Sequence, residues 1–338
     1  MNVKENIPLL DLNTFRIKVS SKSFASFRST TELEMLLMHT ASIKNKLVLG
    51  GGSNILLTKN YDGIVLKNDI KGISVESEDS DYIYVKAGSG ENWHQFVLFC
   101  VDNNYAGVEN LSLIPGNVGA SPIQNIGAYG VEVKDVFHEL ECYDLEDETI
   151  RKFSLNDCAF GYRDSVFKNK FKGRFIITSV TFRLKKIPQF NISYGAIQQE
   201  LDQMKIKELS IKAISQAVIN IRNSKLPNPE EIGNAGSFFK NPTIGIGKFN
   251  NLKTEWPGMP SFPVDKQHIK IPAGWLVEQC GWKGYRKGDA GCYAKQALVL
   301  VNYGNATGEE ILNLSEQIIN SVYQKFNITL EREVNVIN

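Results

Sequence analysis

Residues 116–130 read Gly-Asn-Val-Gly-Ala-Ser-Pro-Ile-Gln-Asn-Ile-Gly-Ala-Tyr-Gly. Their apolar positions follow neither a period of 2 nor one of 3.6, so the stretch is neither a core strand nor a core helix. A single glycine here could serve no more than a turn that needs a positive φ. The whole run is different, because backbone with so few side chains can bring many N–H groups against a pyrophosphate, as an anion nest does. A loop that presents backbone to a nucleotide cofactor is therefore the first expectation.

Two further glycine-rich turns follow apolar strands: Gly50-Gly51-Gly52-Ser53-Asn54 after residues 46–49, and Gly88-Ser89-Gly90 after residues 82–87. Neither contains the Gly-Lys-Ser/Thr that a Walker loop needs to meet phosphate and magnesium. A dinucleotide fingerprint needs a third glycine opening the helix. Trp93 stands where that glycine should be. Classical nucleotide loops are thereby disfavoured.

The chain has 338 residues, enough for two domains at about 150 residues each, or three small ones. Its 38 basic and 37 acidic residues leave a net charge of +1. That balance argues against a polybasic nucleic-acid surface. Hydrophobic residues make up 42% and charged residues 22%, which is ordinary globular usage. The five cysteines are odd in number and contain no Cys-x-x-Cys, so neither a disulfide framework nor a zinc site is expected, and a reducing compartment fits. No run approaches the ~18 apolar residues of a membrane span, and the N-terminus lacks a signal pattern. A soluble cytoplasmic protein is expected, without metal, nucleic-acid or membrane partners.

Outward from the central loop the pattern is mixed. A helix is expected over residues 31–41, with Thr31 and Glu34 at capping-box spacing and Leu33, Leu36 and Leu37 on one side. Residues 46–49, 55–57 and 82–87 read as strands. Trp93, Phe96, Val97, Cys100 and Val101 mark a helix by their spacing. Short strand-like runs alternate with polar turns over residues 131–184. Ile211, Ile214, Val218 and Ile221 mark another helix, and the Leu-Pro-Asn-Pro run at 226–229 is the best domain boundary. A helix after Pro272, a strand at 297–301, a long helix opened by Thr307 and Glu310, and a strand at 328–337 complete an α+β chain.

The segments 50–54 and 115–130 together resemble the flavin-binding part of the UDP-N-acetylenolpyruvoylglucosamine reductase (MurB) family. Three later segments agree: Tyr162-Arg163-Asp164-Ser165-Val166-Phe167, Gly233-Asn234-Ala235-Gly236-Ser237-Phe238-Phe239-Lys240-Asn241-Pro242, and Glu333 near the C-terminus. The likeness runs from about residue 14 to residue 334. Gly-Ala-Tyr-Gly at 127–130 and Ser193-Tyr194-Gly195 resemble the subclass with an extra tyrosine-bearing loop. The resemblance implies a three-domain α+β flavoprotein, with FAD between two N-terminal α+β domains (the PCMH/VAO type of FAD-binding fold) and a C-terminal α+β substrate domain. The expected boundaries are 1–71, 72–224 and 225–333, with 334–338 returning to the first domain.

FAD would be bound noncovalently by Gly50, Gly51, Gly52, Ser53, Asn54, Pro115, Gly116, Gly119, Ala120, Gln124, Asn125, Gly127, Ala128 and Gly130. All four histidines (His39, His94, His138 and His268) lie outside these loops, which fits the absence of a covalent tether. The implied reaction reduces the enolpyruvyl ether of UDP-N-acetylglucosamine to UDP-N-acetylmuramate. NADPH is the co-substrate, and hydride reaches the vinyl carbon through flavin N5. An unactivated vinyl ether accepts hydride only if its carboxylate can take up charge, so the site needs a cation, an acid and a means of stabilising an enolate.

By resemblance Arg163 supplies the cation, and a guanidinium suits a carboxylate through two parallel N–H bonds. Ser237 supplies the proton, since the intermediate left by hydride transfer is basic enough to take it. Glu331 and Glu333 share one face of the expected strand, and alternation cannot choose between them. The family match selects Glu333, to stabilise the enolate or supply a proton. Tyr129, Tyr162, Tyr194, Lys225, Asn241, Lys283 and Gln296 are carried over as substrate-binding. Trp256, Trp275 and Trp282 are read as core packing. The chain is expected to work as a monomer on a small-molecule substrate. A binding-only descendant would have no reason to keep Arg163, Ser237 and Glu333 together, and a flavin oxidase would more naturally have a different C-terminal domain.

Overall fold

A computed structural model describes residues 2–338. The chain forms two compact units. One comprises residues up to Ile7 together with Lys22–Gly51 and Asp62–Ser224; the other comprises Pro8–Ser21, Gly52–Tyr61 and Lys225–Asn338.

The first unit holds a five-stranded antiparallel sheet in the order Thr149–Ser154, Phe137–Asp144, Phe175–Lys185, Tyr82–Gly88 and Ile73–Glu78. Its core is filled by the helix Trp93–Asp102, which buries Trp93, Phe96, Val97, Cys100 and Val101, the five positions expected from their spacing. Trp93, Phe96 and Phe182 pack ring against ring, with centroids 4.6–5.7 Å apart. Truncating one of them would cost about 3–5 kcal/mol. A second sheet pairs Lys46–Leu49 in parallel with Tyr61–Asn68, and the helix Thr30–His39 covers it with Leu33 and Leu36. Helices Gly195–Gln203 and Ile211–Lys225 form a smaller cluster through Ile197, Leu201, Ile214 and Val218.

In the second unit an antiparallel sheet runs Gly233–Ser237, Val299–Asn302, Ala290–Cys292, Arg286–Lys287. The helix Gly308–Phe326 buries Ile311, Leu314, Ile318, Val322 and Phe326 in the same core. Thr307 and Glu310 form its expected capping box. Trp256, Trp275 and Trp282 are partly buried against this core, and Trp256 and Trp275 both pack on Phe326.

Two local expectations need correction. The N-cap of the helix Thr30–His39 is Ser29, whose side chain accepts from the Glu32 N–H, so Thr31 and Glu34 are not the box. The strand expected at 328–337 is confined to Asn335–Ile337, paired in parallel with Ile55–Leu57. Upstream, a single antiparallel bridge joins Phe239 and Arg332, and the chain bends at Val334. Ile328, Leu330 and Val334 still enter the core, so alternation there reports burial rather than a continuous ladder. Among the described residues no helix is long and apolar enough to cross a membrane. All five cysteines are free thiols.

Candidate active site

In the first unit the loop at 115–130 is fixed by its own backbone. Gly119 and Val118 donate to the carbonyls of Ser89 and Glu91, each at 2.9 Å, and the Asn117 amide donates to the Gly90 carbonyl at 2.7 Å. The Gly88-Ser89-Gly90 turn is therefore the bed on which this loop lies. A Cβ on Gly119 would stand 2.5 Å from Ser89 Cβ. One on Gly51 would stand 2.9 Å from Gly116 Cα, so two backbones meet where no side chain fits. Asn125 is wholly buried at φ 45°, and its amide donates to Glu132 and to the Gly161 carbonyl, each at 3.0 Å. Its Oδ1 accepts from the Lys134 N–H, so this side chain fastens the loop to the segment that precedes Arg163.

Arg163 sits half-buried in a turn at φ 52°. Its Nη2 donates to the Gly127 carbonyl at 2.6 Å, and its guanidinium lies 5.4 Å from the Tyr162 ring centroid. The proposed carboxylate grip is thus attached to the glycine loop itself. Tyr129, at φ 51°, meets Tyr194 edge-on at 5.3 Å between centroids. Tyr194 lies on an exposed loop.

In the second unit Ser237 ends the strand Gly233–Ser237 and is half-buried. Asn234 sets the turn before it, accepting from the Gly236 N–H and donating to the carbonyls of Pro227 and Ile232. Glu333 N–H donates to the Phe238 carbonyl at 2.8 Å, which brings Glu333 beside the residue after Ser237. The Glu333 carbonyl accepts from the Asn54 amide at 3.3 Å, so the end of the 50–54 turn belongs to the same cluster. Glu331 is exposed and paired with Lys240 at 2.5 Å.

Three expected substrate residues surround the helix Ala273–Gln279. Asn241 Oδ1 accepts from the Ala273 N–H at 2.9 Å, Lys283 pairs with Glu278 at 2.9 Å, and Gln296 Oε1 lies beside Gly274. Lys225, the last residue of the helix Ile211–Lys225, is exposed.

The sequence reading missed a polar group in the first unit. Arg222 hydrogen-bonds the Tyr129 hydroxyl, and its Nε donates to the Leu113 carbonyl at 3.2 Å. His94 Nδ1 accepts from the Leu113 N–H at 3.0 Å, and burial followed by the Arg222 charge lowers the pKa of its ring. Leu113 has φ 58°, a strained state for a bulky residue, and these two side chains hold it there. Burial raises the Tyr129 phenol above its ordinary value. One signal was available: Ser215 and Arg222 fall on the stripe 211, 215, 218, 222, where a helix of this kind usually carries apolar groups.

Glycine backbones meeting at Gly51 and Gly116, with no histidine or cysteine in either loop, suit a phosphate-bearing cofactor held without a covalent bond. No group of three or more His, Cys, Asp or Glu residues among the described residues could hold a metal ion. A cavity of about 420 Å³ in the first unit, lined by Lys134, Asp135, Leu155, Asn156, Ala159 and Phe160, includes none of the expected site residues.

Residues 228–337 match a family model described as the C-terminal domain of UDP-N-acetylenolpyruvoylglucosamine reductase, and residues 28–154 match one described as an FAD binding domain. The chain is 51% identical over 339 residues to the UDP-N-acetylenolpyruvoylglucosamine reductase of Amoebophilus asiaticus, with 100% of each chain covered. It is 49% identical over 338 residues to the enzyme of that name from Flavobacterium johnsoniae, again with 100% of each covered. The crystal structure of UDP-N-acetylenolpyruvylglucosamine reductase from Thermus caldophilus has the same fold, with a TM-score of 0.71 over 100% of each chain at 22% identity.

Proposed function

Because the chain belongs to the UDP-N-acetylenolpyruvoylglucosamine reductase (MurB) family, the flavoenzymes of peptidoglycan synthesis, we propose that Arg163, Ser237 and Glu333 carry its reduction of the enolpyruvyl ether. The protein is an α+β oxidoreductase that uses FAD, with NADPH as co-substrate. FAD, when bound, supplies the carrier that takes hydride from NADPH and delivers it to the vinyl carbon. The residues proposed to hold it are those of the 50–54 and 115–130 loops, without a covalent bond.

Arg163 grips the substrate carboxylate and offsets the charge that enters it as hydride arrives. Ser237 Oγ gives its proton to the carbon next to that carboxylate. Glu333 stabilises the enolate by donating a hydrogen bond in its protonated form, or supplies a proton itself. Tyr129, Tyr162, Tyr194, Lys225, Asn241, Lys283 and Gln296 hold the sugar nucleotide, the two lysines as point charges for its diphosphate. The proposed domain division is 1–71, 72–224 and 225–333, and the enzyme works as a cytoplasmic monomer.

The observation that carries this reading is the 2.6 Å bond from Arg163 to the Gly127 carbonyl, which attaches the carboxylate-binding group to the glycine loop. The test is direct. The purified protein should be yellow, release intact FAD on denaturation, and consume NADPH much faster with the enolpyruvyl sugar nucleotide present. A colourless protein that cannot be reconstituted, or NADPH consumption indifferent to that substrate, contradicts the proposal.

A further inference from the structure

Arg163 lies within residues 159–174, which carry no helix or strand, and it holds φ 52°, a backbone state that a residue with a side chain keeps only when its surroundings hold it. Its turn closes on itself. The Gly161 N–H donates to the Asp164 carbonyl at 3.0 Å, and the Asp164 N–H donates to the Gly161 carbonyl at 3.3 Å. Those two bonds shape the turn but do not fix it against the rest of the protein. Two buried side chains do, one from each side of the contact.

Asn125 reaches the turn from the glycine loop. It is 0% exposed, so its amide must find its partners inside the protein. Its Nδ2 donates to the Gly161 carbonyl and to Glu132 Oε2, and its Oδ1 accepts from the Lys134 N–H, each at 3.0 Å. Every partner can play one part only: a carbonyl and a carboxylate accept, and a backbone N–H donates. The amide therefore has a single orientation, and both of its N–H groups are spent. Asn125 thus brings backbone, and no side-chain donor, to the surface proposed for FAD. Ser165 reaches back the other way. It is 2% exposed, and its Oγ donates to the Ile123 carbonyl at 2.5 Å. The two ties flank Arg163, one at the residue two before it and one at the residue two after it.

We propose that Asn125 and Ser165 are positioning residues for Arg163, clamping its turn to the glycine loop so that the guanidinium is fixed before a carboxylate arrives; the assignment rests on the reading of Arg163 as the carboxylate grip. Neither side chain touches the reacting atoms. Donors already in place when charge develops lower a barrier more than donors that must first be ordered.

Two measurements test this. In the first, hydrogen exchange of the Gly161 and Asp164 amides is followed without substrate in the FAD-loaded wild type, Ser165→Ala and Asn125→Asp. Aspartate tolerates the positive φ of Asn125 and still accepts from Lys134, but it donates to neither Gly161 nor Glu132. Exchange should quicken about tenfold in each variant, in step with one lost hydrogen bond to the turn. Ser165→Ala remains informative even if Asn125→Asp folds poorly, and unchanged exchange in Ser165→Ala overturns the clamp.

In the second, stopped flow separates the half-reactions of Ser165→Ala. Reoxidation of the reduced flavin by the enolpyruvyl sugar nucleotide should slow about tenfold, while NADPH reduces the flavin within twofold of the normal rate. In an Arg163→Lys background the same change should have no further effect. An undiminished effect in that background, or equal loss in both half-reactions, overturns the proposal. If Arg163→Lys alone leaves reoxidation unchanged, the carboxylate-grip reading falls, and hydrogen exchange still decides whether the turn is clamped to the loop.

Discussion

The main-chain N–H of Glu333 donates to the carbonyl of Phe238 at 2.8 Å. Phe238 directly follows Ser237, and the Lys240 N–H donates to the Glu331 carbonyl at 2.9 Å on the other side of the Phe239–Arg332 bridge. The backbone beside the proposed acid and the backbone of its glutamate are thus held by a short antiparallel pairing. Phe238 and Phe239, 0% and 1% exposed, anchor that pairing in the core. A site built on such a frame keeps its geometry without relying on long flexible side chains.

That frame gives the two glutamates different fates. Glu331 is exposed and spends its carboxylate on Lys240, whose side chain is largely buried. Glu331→Gln should therefore leave turnover nearly normal. Glu333→Gln keeps the backbone bond to Phe238 and removes the carboxyl, and should lower kcat by ~10²-fold or more. Steady-state assays of both variants check this; equal losses, or a larger loss at Glu331, contradict the assignment.

Arg163→Lys isolates the guanidinium, because lysine meets the same positive φ as arginine. The charge stays, but the planar fork that binds Gly127 and grips a carboxylate is lost. We expect kcat/KM for the sugar nucleotide to fall by ~10²-fold, with FAD still bound. Turnover within a few-fold of wild type shows that charge alone suffices and removes the bidentate grip from the account.

Asp144 offers a test of stability rather than turnover. Its buried carboxylate accepts two bonds from Arg174, at 2.9 and 2.7 Å, with Arg151 at 3.0 Å. Arg174 in particular holds its pKa well below the usual carboxylate range. A depressed folded pKa stabilises the fold above the unfolded value of about 3.9, and the benefit is lost as pH falls below it. Asp144→Asn should lower the thermal midpoint at pH 7, and the gap to wild type should narrow towards pH 3. A gap that is absent at pH 7, or that does not narrow, contradicts this.

The helix Trp93–Asp102 was legible in full because its five core positions repeat within one segment. The helix Thr30–His39 was legible except at its start. Ser29–Glu32 and Thr31–Glu34 offer the same capping spacing two residues apart, and the choice falls to Ser29, whose extended backbone continues from the strand before it. The C-terminal strand, Asn335–Ile337, is shorter than the alternation implies, since Ile328, Leu330 and Val334 alternate for burial while the chain bends at Val334. In the site, Arg163 and Ser237 stand within distinctive motifs. Arg222 does not, because its partner is remote: it meets a carbonyl 109 positions away. Such a contact is set by packing, and no local pattern announces it.

The central claim is that Ser237 delivers the proton, and flavin absorbance in stopped flow isolates it. Ser237→Ala removes one hydroxyl and leaves the 50–54 and 115–130 loops intact, so NADPH should reduce the bound FAD at nearly the normal rate. Reoxidation by the enolpyruvyl sugar nucleotide needs hydride and proton together, and should slow by at least ~10²-fold. Substrate affinity should change little, because one buried hydroxyl is worth only about 1 kcal/mol net. An alanine variant that loses NADPH-driven reduction and keeps substrate-driven reoxidation would contradict the account, and Ser237 would then serve binding or folding instead.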